Sequence, residues 1–194
     1  MKKIAKYLLF IMVMESVLVC FSGCNIEDFK RHRNENSDSD IIITDEGDTK
    51  YQKEFGTYIV KSGWVESKTH SQNGKYFYVK DGQDNDSRPN NISINAGTNK
   101  YKKEEHEKFR EAIYAQLARQ VGGNVTINAT GSTTDKGELV YTFVINNSNL
   151  ISTQYYIIGE KKYVMIYETV WNNDEKEETD EVALKMINSF EWKE

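Results

Sequence analysis

Two groups of strands, each followed by a helix, constrain the fold of this 194-residue chain more than any other feature. After a helix predicted over 101–121, the sequence predicts four successive strands, over 124–130, 138–145, 150–158 and 163–170. Turn residues at 135–137 and 159–160 separate the later strands. Connections this short join neighbouring antiparallel strands, so the segment predicts a meander.

Each predicted helix carries one apolar stripe. The stripe of the first helix has four-residue spacing and consists of Phe109, Ile113, Leu117 and Val121. The second helix, predicted over 174–188, has a stripe made of Thr179, Val182 and Met186. A helix with one apolar face buries it against a sheet. Earlier strands are predicted near 55–60, 65–70, 76–79 and 91–95. The fold class predicted is therefore α+β, an antiparallel β-sheet flanked by two helices in an α/β/α sandwich.

The N-terminus has the organisation of an export signal. A basic segment, 1–6, precedes an apolar run over 7–19 that is interrupted by Glu15. The run is short for a bilayer span, which needs about 20 apolar residues. Phe21-Ser22-Gly23-Cys24 follows it, and small residues directly before a cysteine resemble the lipobox of bacterial lipoproteins.

This resemblance covers residues 1–24 and departs from the usual pattern at Phe21, where leucine is common. It implies a cleaved signal peptide and a mature chain that begins at a lipidated Cys24, with palmitate among its acyl groups. An uncleaved N-terminal anchor helix is the alternative. Both readings place the domain at the extracytoplasmic face of the cell membrane, and the first attaches it through the N-terminal lipid.

Residues 25–52 are predicted to form a flexible polar tether, because 34–40 is polar and lacks periodicity. Ile41-Ile42-Ile43 interrupts this composition. The triplet is interpreted either as a short strand against the domain edge, which is favoured, or as an exposed adhesive segment. The globular domain is predicted to span 53–194.

The order of elements resembles the PsbP-like group, which includes an extrinsic subunit of photosystem II, a Ran-binding nuclear import factor and bacterial lipoproteins. The matching segments are the strand before Gly63-Trp64, the helix before Gly122, the run from Leu139 to Val170 and the closing Ser189-Phe190-Glu191-Trp192. The resemblance implies a PsbP-like α/β/α sandwich. No set of catalytic residues belongs to this group, so none is carried over.

Charge and motif content narrow the function classes. The formal net charge of −5 argues against nucleic acid as a partner, because an acidic protein gains nothing from counterion release. The three histidines, His32, His70 and His106, have no metal-ligand spacing, and no nucleophile or phosphate-binding motif occurs. We therefore expect no cofactor and no enzymatic activity.

Two weak candidate sites remain. Asp81, Asp84 and Asp86 lie in an oxygen-rich segment that could hold calcium, although a solvated loop explains it as well. The aromatic residues Trp64, Tyr155 and Tyr163 could form a binding platform, although core packing explains them as well.

The sequence thus favours a lipid-anchored, non-enzymatic binding or accessory module of the cell envelope, with an envelope protein or a small ligand as its partner. One alternative is an envelope enzyme whose site is assembled only in three dimensions. That alternative predicts a pocket that gathers His70 or His106 with two or more carboxylates. A calcium-responsive lipoprotein is the other alternative.

Overall fold

The computed structural model describes residues 41–121, 125–147 and 150–193. Cys24, the signal segment 1–24 and residues 25–40 of the predicted tether lie outside these ranges. The described chain forms two antiparallel sheets and two helices.

The larger sheet has seven strands. In spatial order they are β4 (Trp64–Glu66), β5 (Lys75–Lys80), β6 (Asn91–Thr98), β10 (Lys162–Val170), β9 (Leu150–Ile158), β8 (Leu139–Asn147) and β7 (Thr126–Thr133). Strands β7 to β10 form the predicted meander. Strand β10 then pairs with β6, which places β6, β10 and β9 in the interior of the sheet.

The smaller sheet has four strands, in the order β1 (Ile41–Ile43), β2 (Thr49–Lys53), β3 (Gly56–Val60) and β11 (Glu191–Trp192). The predicted boundary at residue 53 is therefore wrong, because β1 and β2 belong to the folded domain. Tyr51 of β2, placed in the tether by sequence, is only 5% exposed. Strand β2 could not be recognised from sequence, because it contains one large apolar residue, Tyr51, and follows the polar residues at 44–50.

Strand β1 combines both interpretations of the isoleucine triplet. Its backbone pairs with β2, with Ile41 opposite Tyr51 and Ile43 opposite Thr49. Its side chains nevertheless remain in solvent, and Ile43 is 64% exposed. The triplet is a docked edge strand with an apolar exposed surface.

The two helices lie on opposite faces of the larger sheet. Helix α1 (His106–Val121) places Phe109 against the rings of Tyr156 and Tyr163. Helix α2 (Lys176–Ser189) packs between the larger sheet and β3. Its buried side chains share one core with residues of the other face, among them Val164 and Ile166. This arrangement confirms the predicted α+β sandwich.

No helix in the described ranges is long and apolar enough to cross a membrane.

Candidate functional site

The predicted aromatic platform does not form. Trp64 is 3% exposed in the main core, and its Nε1 donates to Glu178 at 3.4 Å. Tyr155 and Tyr163 lie on adjacent strands, but the pairing register places them on opposite faces of the sheet. The Tyr163 ring instead packs over Gly97 and against Phe109. All three aromatic residues serve packing, and they share no surface.

The predicted calcium segment lies in the β5–β6 loop. Asp84 is 3.8 Å from His70 Nδ1 and accepts a long hydrogen bond of 3.5 Å from Thr69. Asp81, Asp84 and Asp86 do not converge, and the described residues contain no group of three potential metal ligands. The structure therefore does not support this segment as a cation site.

The two described histidines have local partners. His70 Nδ1 lies 2.8 Å from Ser67 Oγ, and His106 Nδ1 lies 2.6 Å from the Tyr141 hydroxyl. The enzyme alternative predicts two or more carboxylates beside one of these histidines. Among the described contacts, neither histidine has two carboxylates beside it.

A row of uncharged polar side chains crosses the face of the larger sheet that carries α1. We call it the polar stripe, and it comprises Ser93, Asn95, Ser152, Gln154, Tyr167 and Thr169. In β10, Tyr167 stands directly between Ser93 of β6 and Gln154 of β9. Residues two apart in a strand share a face, so Asn95 and Thr169 extend the row along the strands. The three interior strands thus bring the stripe together.

The polar stripe is buried and only partly satisfied. Ser93 and Gln154 are 0% exposed and Asn95 is 3% exposed. Within the described part of the chain, Ser93 Oγ, both polar atoms of Asn95 and Gln154 Nε2 have no hydrogen-bond partner. Leaving such a group buried and unpaired costs about 1–3 kcal/mol. Four such atoms on one face are unusual in a folded domain.

Other groups of the stripe are paired and neutral. The Tyr156 hydroxyl donates to Gln154 Oε1 at 2.7 Å. Burial raises the pKa of Tyr167, although hydrogen bonds to Ser152 and Thr169 oppose this rise, so its hydroxyl keeps its proton at neutral pH. The stripe therefore offers neutral hydrogen-bond donors and acceptors.

A buried carboxyl group lies on the opposite face of the sheet, beneath α2. Glu168 is 1% exposed, and the Tyr155 hydroxyl donates to its Oε2 at 3.2 Å. Burial is the main cause that raises the pKa of Glu168 to about 8, and the neighbouring Asp180 carboxylate contributes to the rise. Asp180 is itself paired with Lys176. Glu168 Oε1 has no hydrogen-bond partner while it is ionised. When Glu168 is protonated at this oxygen, its O–H can donate a hydrogen bond to the Asp180 carboxylate.

Sequence reasoning missed the polar stripe because strand β6, which supplies Ser93 and Asn95, has the alternation of a strand with one solvated face. Asn91-Ile92-Ser93-Ile94-Asn95 alternates polar and apolar residues, which usually indicates one solvated face. Strand β6 is an interior strand, however, and Ser93 and Asn95 are as buried as Ile92 and Ile94. Its partners, Gln154 and Tyr167, become neighbours only through the β6–β10 pairing.

Comparison with known proteins identifies the fold. No family model matches the chain, and no curated protein matches it by sequence. Among solved structures, it is similar to cyanobacterial PsbP (CyanoP) from Synechocystis sp. PCC 6803, with a TM-score of 0.51 and 12% identity, over 83% of this chain and 99% of that chain.

Two further matches are weaker. A mutant of the protein Mog1 has a TM-score of 0.43 and 13% identity, over 70% of this chain and 89% of that chain. A Bacteroides thetaiotaomicron VPI-5482 protein has a TM-score of 0.38 and 12% identity, over 80% of this chain and 48% of that chain.

The class defined by these elements is an α+β sandwich built on an antiparallel sheet. The similarity to cyanobacterial PsbP makes this domain a PsbP-like sandwich. At 12% identity the similarity extends to the fold alone.

Proposed function

We propose that this protein is a lipid-anchored, extracytoplasmic binding or accessory module of the cell envelope, without enzymatic activity of its own. Cys24 carries the anchor, and the PsbP-like domain presents the binding surface. The observation that supports binding most directly is the polar stripe, where buried donors and acceptors lack partners within the described chain.

The chemistry of the stripe favours binding over catalysis. Amide and hydroxyl groups can orient a ligand, but at neutral pH they do not exchange protons readily. A nucleophile would need an adjacent general base, and the stripe contains neither a histidine nor a carboxylate. This composition is what we expect of a site that holds a molecule without transforming it.

The lipid anchor is proposed from sequence. The apolar run 7–19, the small residues Ser22 and Gly23, and Cys24 support it. With a net charge of −5, the chain gains no attraction to an anionic membrane surface, so stable attachment depends on a hydrophobic anchor.

Replacing Cys24 with alanine tests this proposal. We expect Cys24→Ala to abolish metabolic labelling with palmitate and to move the protein from the detergent phase to the aqueous phase. Cys20→Ala, a change inside the apolar leader, is the matched control and should leave both readouts unchanged. Labelling that persists in Cys24→Ala would contradict the proposed lipid anchor at Cys24.

One observation favours the enzyme alternative, since a carboxyl whose pKa is raised to about 8 can act as a general acid or base near neutral pH. Glu168 is only 1% exposed, however, and α2 covers its face of the sheet. A structural role beneath α2 accounts for its environment.

A further inference from the structure

We infer that the polar stripe is a binding site for a neutral saccharide. This inference rests on the proposed binding function and names the chemical class of its ligand. It starts from the four buried polar atoms of Ser93, Asn95 and Gln154 that have no partner within the described chain.

The charge of the stripe excludes charged ligands. Its six residues are uncharged, and Tyr167 keeps its proton because burial raises its pKa. An ionised ligand buried against such a surface would lose its hydration without gaining a counter-charge. A wholly apolar ligand is equally unsuitable, because it would leave the amide groups of Asn95 and Gln154 unsatisfied.

The position of the stripe excludes peptide binding by strand addition. Such binding needs a free sheet edge. The edges of the larger sheet are β4 and β7, whereas the stripe occupies the interior strands β6, β10 and β9. The backbones of these strands are paired on both sides, so a ligand must be recognised by side chains.

The spacing of the unpaired groups fits a small, branched set of hydroxyl and amide groups. Ser93 and Gln154 are separated by two strand spacings, about 10 Å, and Ser93 and Asn95 by two residues, about 7 Å. This area corresponds to one or two sugar rings. Tyr167 stands at its centre and offers an aromatic ring, against which the C–H face of a sugar can stack.

The stripe is least buried on its β5 side. Ser93 lies between Tyr167 and Phe77, and Phe77 is half-buried rather than buried. Asn91, which faces Thr169 in the next row, is also half-buried. We therefore place ligand entry over β5 and β6, and the binding of a saccharide requires this side to open, because Ser93 and Gln154 are 0% exposed.

The experiment uses the full chain in a zwitterionic detergent, because sugar-based detergents would compete. N,N′-diacetylchitobiose, which carries amides and hydroxyls, and maltose, which carries hydroxyls only, are titrated calorimetrically. We expect heat with at least one of them. Asn95→Leu and Gln154→Met should each weaken that affinity at least tenfold, because each removes donors and acceptors without removing bulk.

Thermal unfolding distinguishes a ligand site from a structural network. If the Asn95 amide serves binding, Asn95→Leu should unfold at the same or a higher Tm than the parent. Gln154→Met also removes the acceptor of the Tyr156 hydroxyl, so this variant is judged by its affinity alone. Asn128→Leu is the matched control, because Asn128 is exposed on β7 and points to the opposite face. Ser93→Ala removes one hydroxyl without adding bulk, and it repeats the test if a larger variant fails to fold.

Three results would overturn the inference. The first is an absence of heat with both saccharides. The second is binding that Asn95→Leu and Gln154→Met leave unchanged, which would place the saccharide elsewhere. The third is a Tm lowered by Asn95→Leu with no saccharide bound, which would show that water or other residues of the chain satisfy the Asn95 amide. None of these results would affect the lipid anchor, which the Cys24→Ala experiment tests separately.

Discussion

At the scale of single residues, Gly97 shows how the larger sheet accommodates an aromatic ring. Gly97 lies opposite Tyr163 in the β6–β10 pair, and the tyrosine ring occupies the space above it. A Cβ atom at Gly97 would overlap Cζ and the hydroxyl oxygen of Tyr163. Tyr163 also contacts Phe109 of α1, so the glycine allows the packing between sheet and helix.

Replacing Gly97 with alanine should therefore destabilise the domain. We expect Gly97→Ala to lower the free energy of unfolding by about 1–3 kcal/mol, because Tyr163 must leave its position against α1. Gly131→Ala is the matched control, since a Cβ there would lie 3.1 Å from Tyr141 and needs only a small adjustment. Urea unfolding measures both, and equal losses would contradict the packing argument.

Glu168 couples folding to protonation. Its pKa is raised from an ordinary value of 4.5 to about 8 by burial and by Asp180. A carboxyl that binds its proton more tightly in the folded state stabilises the fold most below its unfolded pKa. That stabilisation is lost as the pH rises towards the folded pKa.

The free energy of unfolding should thus decrease between about pH 5 and about pH 8, and Glu168→Gln should remove most of this decrease. Denaturant unfolding at several pH values measures the slope. Glu178→Gln is the control, because a hydrogen bond from Lys80 lowers the pKa of Glu178 and its contribution changes only at more acidic pH. An unchanged slope in Glu168→Gln would show that the pKa of Glu168 is not raised in the folded protein.

At the scale of elements, the start of α2 depends on a residue that lies just before β6. Asn90 precedes β6 and is 2% exposed. Its Oδ1 accepts hydrogen bonds from the backbone N–H groups of Trp171 and Asn172, both at 2.8 Å. Its Nδ2 donates to the Asn172 carbonyl at 3.0 Å and to Thr179 Oγ1 at 3.1 Å. One side chain thus joins the end of β10 to the first turn of α2.

We expect Asn90→Ala to lower the free energy of unfolding by about 3 kcal/mol, because it leaves several polar groups unpaired near the core. The neighbouring Asn91→Ala is the matched control. Asn91 makes one hydrogen bond, to the Pro89 carbonyl at 3.0 Å, so its loss should be about 1 kcal/mol. Thermal and urea unfolding measure the difference, and similar effects would show that Asn90 does not connect the two elements.

Local patterns predicted the meander and both helices, because the apolar stripes and turn residues that specify them lie within each element. They failed where the determining contacts are distant. At the start of α2, the Asn172 side chain accepts a hydrogen bond from the Asp174 N–H, and Asn90 holds Asn172 from 82 residues away. Strands β2 and β11 were missed because they are short and each depends on pairing with β3.

The candidate site was less predictable than the fold. The large aromatic side chains were the candidates for a binding platform. Trp64, Tyr155 and Tyr163, however, all pack in cores. The polar stripe consists of common residues whose burial depends on the order of strands in the sheet. That order depends on the β6–β10 pairing, which joins residues roughly 70 positions apart and has no local signal.

At the scale of the whole molecule, the C-terminal residues join the two sheets. Strand β11 pairs with β3 of the smaller sheet, and Phe190 packs against Phe55. Trp192 then lies against Gly159, in the turn between β9 and β10 of the larger sheet. Three consecutive residues therefore contact both halves of the domain.

A chain that ends at Ser189 should be severely destabilised, because it loses the buried Phe190 side chain, worth about 3–5 kcal/mol, and the fourth strand of the smaller sheet. A chain that ends at Trp192 keeps both and should unfold close to the parent. Circular dichroism and tryptophan fluorescence during heating measure the two truncations. A Ser189 truncation with an unchanged Tm would contradict this role of β11.

The pairing of β11 with β3 also determines when the domain can be completed. Thr57 and its partner Glu191 are separated by 134 residues, nearly the whole length of the described chain. A polypeptide that leaves the ribosome, or a translocation pore, with its N-terminus first must keep Gly56–Val60 without this neighbour until Glu191 emerges. The smaller sheet is therefore completed only after the 134 residues between these partners have been made, and chaperones can bind its unfinished edge throughout that time.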